Sequence, residues 1–102
     1  MKRDEILIAA HHCVCGDREK DYGSPERNFE TIADLWVAYL RAIAGPGEVV
    51  PLLDTKDVAA MMALMKISRI ASGHAKEDNW IDLAGYAACG GELESMVSLC
   101  KD

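Results

Sequence analysis

The stretch from Val58 to Ile70 constrains the fold most, because it is apolar on almost every side of a helix. Its charged residues are Lys66 and Arg69 alone. A helix that is apolar nearly all round is usually central and buried in its fold. We therefore expect this helix to lie at the centre of a helical domain, with other helices packed around it.

Apolar spacing and capping residues predict three further helices. Ser24 and Pro25 suit the start of the second helix, and Asp54 or Thr55 caps the third. The four predicted helices cover about residues 4–14, 25–44, 55–70 and 78–100. The last one contains Gly85, Gly90 and Gly91, which indicate either a closely packed neighbour or a break near Gly90. The predicted fold is an all-α, four-helix bundle forming a single domain over residues 1–102.

Length and charge restrict the class of protein. The chain has 102 residues and a formal charge of −6, with 11 basic against 17 acidic side chains. An acidic chain without a basic stripe is a poor nonspecific ligand for nucleic acid. No apolar run reaches the roughly 20 residues of a membrane span, and the start does not resemble a secretory signal. We therefore expect a cytoplasmic protein with no membrane or nonspecific nucleic-acid partner.

The short turn near His74 makes the third and fourth helices antiparallel neighbours. Residues in contact across such a hairpin should have numbers that add to roughly 148. This register pairs Lys66 with Asp82 and Arg69 with Asp78. The two pairs are interpreted either as salt bridges that close the hairpin or as a charged pocket for phosphate or a metal ion.

Other residues are candidates for ligand contacts. Arg18 is placed to reach phosphate, Tyr22 to stack on a base, and Trp80 to cover the Lys66–Asp82 pair. A second group, His11-His12-Cys13-x-Cys15, has metal-binding residue types. However, adjacent side chains on a helix point about 100° apart, which disfavours one shared ion.

Six separate blocks of the sequence occur in a characteristic order: Arg18-x-x-x-Tyr22-Gly23, Asn28-Phe29, Ile32-Ala33-x-Leu35-Trp36, Asp57-Val58-Ala59-x-Met61-Met62, Lys66-Ile67-x-Arg69 and Asp78-Asn79-Trp80-Ile81-Asp82-Leu83-Ala84-Gly85-Tyr86. Through these blocks the chain resembles a small family of phage and prophage-associated domains of unknown function. The resemblance covers roughly residues 16 to 95 and implies a phage or prophage source and an all-α fold, without an assigned activity.

A more distant similarity links the chain to all-α nucleotide pyrophosphohydrolases of the MazG type. Those enzymes hold Mg²⁺ with carboxylates on facing helices, which supply the oxygen ligands the ion requires. Here the matching stretch Ala59–Met65 has no acid. The remaining metal ligands under the enzyme hypothesis are Glu30, Asp34, Asp78 and Asp82.

Three functions follow from these patterns. The first is binding of a phosphate-bearing, nucleotide-type ligand, either sequestered from host defence signalling or hydrolysed with Mg²⁺. The second is an acidic inhibitor that binds a host defence enzyme, and the third is a structural role. We also expect a homo-oligomer, a dimer or higher, because about 100 residues bury only about two-thirds of their unfolded surface.

Overall fold

The computed structural model describes residues 1–16, 25–73 and 76–101, which form four α-helices with no strand among them. Helix α1 spans Arg3–Cys15, α2 spans Pro25–Ala44, α3 spans Thr55–Ala71 and α4 spans Glu77–Lys101. The all-α prediction is confirmed. Helix ends fall within about one residue of the expected positions, less than the usual disagreement between assignment methods.

Local chemistry explains where these helices start and stop. Asp54 precedes α3, and its backbone N–H donates a 2.8 Å hydrogen bond to the Asp57 carboxylate, which completes one arm of a capping box. Gly45 follows α2 and Gly73 follows α3, each with φ near +90° (89° and 86°). Residues with a side chain disfavour that left-handed conformation, so glycine lets the chain leave each helix without strain.

Helix α4 packs against α1 and α3, and α3 also packs against α2. The core lies where α2, α3 and α4 meet, and its buried residues are Phe29, Ala33, Val58, Ala59, Cys89 and Leu93. A Cβ added to Gly90 would lie 3.3 Å from the Ala59 Cβ, and one on Gly85 would lie 3.2 Å from Val14 Cγ1. These glycines therefore permit close helix packing, and α4 continues through them without a break.

The expectation that α3 is buried is wrong for most of the helix. Only Val58 and Ala59 are buried, whereas Met61, Leu64 and Ile67 are 40%, 63% and 48% exposed. The helix contacts neighbours on both the α2 and the α4 side, but these two leave its remaining circumference open. Its central place in the packing is confirmed, while its outer side faces solvent.

No helix within the described residues is both long enough and apolar enough to cross a membrane.

Candidate functional site

The α3–α4 hairpin positions the residues that the sequence singles out. Lys66 Nζ lies 3.0 Å from Asp82 Oδ2, and Lys56 Nζ lies 3.0 Å from Glu94 Oε2. Gly90 faces Ala59 between these pairs. The residue numbers of the three contacts add to 148, 150 and 149, as an antiparallel hairpin centred near residue 74 requires. The predicted register is therefore present.

The Lys66–Asp82 ion pair is partly withdrawn from solvent. The Lys66 side chain is 16% exposed and that of Asp82 is 32% exposed. Two charges removed from water in this way depend on each other, because each would otherwise lack compensation for its lost hydration. Asp82 consequently fixes the lysine ammonium in one position on the hairpin.

The second predicted pair does not form. Arg69 and Asp78 are both exposed, and within residues 1–16, 25–73 and 76–101 no ion pair joins them. Arg69 lies in the last turn of α3 and Asp78 in the first turn of α4. Each charge is already favoured there by the dipole of its own helix. The Arg69 guanidinium is therefore left beside the hairpin with no contact to that carboxylate.

The predicted ligand residues of this hairpin are Lys66, Arg69, Asp78, Trp80 and Asp82, which we call the hairpin cluster. Trp80 stands two residues from both Asp78 and Asp82, so its side chain leaves the helix about 160° away from theirs and does not cover the Lys66–Asp82 pair from the same side. The Trp80 side chain is 50% exposed, although Asn79 beside it in the chain is buried. An indole exposed to this degree has surface available for stacking. Arg18 and Tyr22, the other predicted ligand contacts, lie outside the described residues.

The carboxylates of the proposed magnesium cage are not brought together. Glu30 and Asp34 are exposed on α2, whereas Asp78 and Asp82 belong to α4, and α2 packs on α3. Across the described part of the chain, no three His, Cys, Asp or Glu side chains are grouped so that they could hold a metal ion. One copy of the chain therefore does not assemble the four-carboxylate site.

The cysteine and histidine motif on α1 is the other candidate for a metal site. Cys13 is half-buried, while His11, His12 and Cys15 are exposed. This partial burial explains Cys13 as a small apolar residue. The motif forms no metal-binding group among the residues that the structure describes.

A shallow groove between α3 and α4 has a volume of about 360 Å³, and the sequence pattern does not predict it. Alanine and glycine make up most of its lining, which also includes Tyr86 and the Lys56–Glu94 pair. The small residues are Ala59, Ala60, Ala63, Ala87, Gly90 and Gly91. The Glu94 carboxylate, hydrogen-bonded to the ammonium, raises the pKa of Lys56 above its ordinary 10.5. Extending the predicted register toward the start of α3 would have identified this pair.

Comparison with known proteins places the chain among phage proteins. A family model described as a domain of unknown function, DUF6378, matches residues 5–94. The Gene 55 protein of Mycobacterium phage L5 is 42% identical over 91 residues, which cover 89% of this chain and 51% of that protein. The Gene 55 protein of Mycobacterium phage D29 is 38% identical over 86 residues, covering 84% of this chain and 51% of that protein.

The chain thus spans about half the length of these two relatives. No solved structure matches it. The family match extends from α1 into α4 and includes the whole hairpin cluster. The chain belongs to the DUF6378 family, and it is similar to Gene 55 proteins of two mycobacteriophages.

Proposed function

We propose that this chain is a phage-encoded helical domain that binds a phosphate-bearing, nucleotide-type ligand at the hairpin cluster. The observation that carries the proposal is the unequal pairing of its two cations. Lys66 is held by Asp82 at 3.0 Å, whereas Arg69, one helical turn farther on, is exposed and makes no ion pair with Asp78. A guanidinium in this situation presents a planar fork that matches two phosphate oxygens.

A nucleotide also needs a contact for its base. Trp80 offers a half-exposed indole for a nucleobase, and Arg18 and Tyr22 belong to the proposal on sequence grounds alone. Binding needs no catalytic group, so the protein would act by withholding a signalling nucleotide from a host defence system. Its place of action would be the cytoplasm of the infected bacterium.

A thermal-shift experiment tests the proposal. The full chain is heated with a panel of nucleoside triphosphates, cyclic mononucleotides and cyclic dinucleotides, with and without divalent metal. A ligand that binds only the native state raises the melting temperature by mass action, by several degrees at 100 times its Kd. We expect at least one nucleotide to do so, and we expect Arg69→Ala to abolish the shift without lowering the melting temperature of the unliganded protein.

Arg41→Ala is the matched control. Arg41 is also an exposed arginine in the last turn of its helix, but it lies on α2. It should leave the ligand-induced shift unchanged. Stabilisation that survives in Arg69→Ala, or a panel in which no nucleotide stabilises the protein, contradicts the proposal.

A second candidate is an acidic inhibitor that binds a basic surface of a host defence enzyme. It is supported by the net charge of −6 and by exposed carboxylates such as Glu30 and Asp34 on α2. In this case no small ligand should stabilise the domain. Glu30→Lys combined with Asp34→Lys should abolish binding of the target while Arg69→Ala leaves it intact.

Magnesium-dependent hydrolysis is the remaining alternative, and it has the least support because the four candidate carboxylates are dispersed. Incubation with nucleoside triphosphates and Mg²⁺ distinguishes it from simple binding. An enzyme would release pyrophosphate in proportion to protein concentration, and Asp82→Asn would stop the release.

A further inference from the structure

One copy of this chain exposes more surface than a compact protein of its size. Its accessible area is 7492 Å², whereas a folded monomer of 11.1 kDa is expected to expose about 5,700 Å². Its radius of gyration is 15.5 Å, compared with about 13 Å for a compact domain of this length. The chain therefore exposes about 1,800 Å² more surface than a compact monomer of its mass.

Six of the fourteen exposed large apolar residues in the described part of the chain form two stripes, one on α2 and one on α3. The α2 stripe is Leu35, Tyr39 and Ile43, which are 63%, 65% and 63% exposed at a spacing of four residues. The α3 stripe is Met61, Leu64 and Met65, which are 40%, 63% and 53% exposed. Spacings of three and four keep the members of each stripe on one side of their helix.

The middle of each stripe is free of charge. Residues 60–65 contain no ionisable side chain, and on the same side of α3 charge returns one turn before Met61, at Asp57, and one turn after Met65, at Arg69. On α2, Glu30 and Asp34 lie on a different side from Leu35 and Tyr39 when about 100° is allowed for each residue. Two acidic copies can therefore meet on the middle of these stripes without bringing these carboxylates together.

The amount of surface and its chemistry both match an interface between copies. A standard interface buries about 800 Å² per partner, and permanent homodimers bury about 1,000–2,500 Å² per partner with a more apolar character. The excess of about 1,800 Å² per chain is large enough to contain an interface of that size. Exposed apolar patches larger than a few hundred Å² commonly mark interaction sites.

From these observations we infer that the α2 and α3 stripes are the contact surface of a homodimer, in which a second copy of this chain covers them. In a two-fold dimer each copy uses the same surface, so a single change alters the contact twice. The α3 helix then becomes buried on the side that α2 and α4 leave open. This inference is independent of the ligand proposed for the hairpin cluster.

Sedimentation equilibrium of the full chain measures the assembly directly. The wild type should have twice the 11.1 kDa monomer mass at micromolar concentration. Leu64→Lys and Leu35→Lys place a charge in the α3 and α2 stripes, and each should raise the dimer Kd at least 100-fold. Both leucines are 63% exposed in the single chain, so neither change disturbs its core.

Leu7→Lys is the control, because Leu7 is 64% exposed but lies on α1, outside both stripes. It should leave the dimer mass unchanged, and circular dichroism should show equal helix content in all three variants. The inference is overturned if the wild type is a monomer, if the dimer survives Leu64→Lys and Leu35→Lys, or if Leu7→Lys dissociates it equally.

Discussion

At the residue scale, two adjacent glycines in α4 have opposite surroundings. A Cβ on Gly90 would lie 3.3 Å from the Ala59 Cβ, which is tighter than ordinary contact. A Cβ on Gly91 would meet nothing within 4 Å. Glycine is thus needed at the first position for helix packing, and at the second it only weakens the helix.

This difference predicts that substitution by alanine affects stability differently at the two positions. Gly91→Ala should stabilise the protein by about 0.5–1 kcal/mol, because alanine restricts the unfolded chain and favours the helix. Gly90→Ala should lose this gain, because α3 and α4 must move apart by a few tenths of an ångström. Urea denaturation of the two variants measures the difference, and equal stabilisation by both would contradict close packing at Ala59.

At the element scale, α3 and α4 are joined by two ion pairs with the same 3.0 Å separation but unequal exposure. Lys66 is 16% exposed in its pair, and Lys56 is 33% exposed. Solvent weakens a charge pair by screening it and by hydrating either partner when the other is lost. The inner pair should therefore contribute more to the stability of the hairpin than the outer pair.

Alanine substitution of each lysine tests this ranking. Lys66→Ala should destabilise the protein by about 2 kcal/mol, since Asp82 would remain partly buried without its cation. Lys56→Ala, the matched control, should cost clearly less, because Glu94 can be hydrated where it is. Chemical denaturation of both variants provides the comparison, and an equal loss of stability would contradict the role of burial.

The outer pair also has a defined pH dependence. The hydrogen bond from Glu94 raises the pKa of Lys56 above 10.5, so the folded state holds this proton more tightly than the unfolded chain. Its stabilising effect is complete below pH 10.5 and is lost as pH rises through the higher folded pKa. Stability measured from pH 7 to 9 should therefore be unaffected by this group.

The sequence also predicts the register that explains these pairs. The short turn after α3 made the hairpin antiparallel, and its centre near residue 74 placed Lys66 opposite Asp82. Arg69 and Asp78 obey the same arithmetic but do not form an ion pair, because register aligns backbones without fixing where long, exposed side chains point. The sequence therefore predicts where the hairpin cluster lies, but of its two predicted ion pairs only Lys66–Asp82 forms.

At the scale of the whole molecule, the four helices leave much of α3 exposed, including Met61, Leu64 and Ile67. The principal extents of 50, 37 and 27 Å describe an elongated arrangement. If a second copy covers the exposed stripes on α2 and α3, as we infer, folding and assembly are coupled. Stability should then depend on protein concentration.

Thermal unfolding at several concentrations tests this dependence. Folding coupled to dimer formation gains about 1.4 kcal/mol for each tenfold increase in concentration, which corresponds to about 3 °C for a dimer of this size. The melting temperature of the wild type should rise accordingly, as should that of Leu7→Lys. A melting temperature independent of concentration in the wild type would contradict coupled folding and assembly.

The sequence by itself determined the helices, their ends and the antiparallel hairpin, because periodic apolar residues, capping groups and a short turn act over a few residues. Only the tertiary structure decided that Gly90 is a contact and Gly91 is open, that Glu30 and Asp34 lie apart from Asp78 and Asp82, and that much of α3 is exposed. Those outcomes depend on which helix faces lie against which neighbours. That arrangement is set by packing between segments distant in the chain, to which local patterns are insensitive.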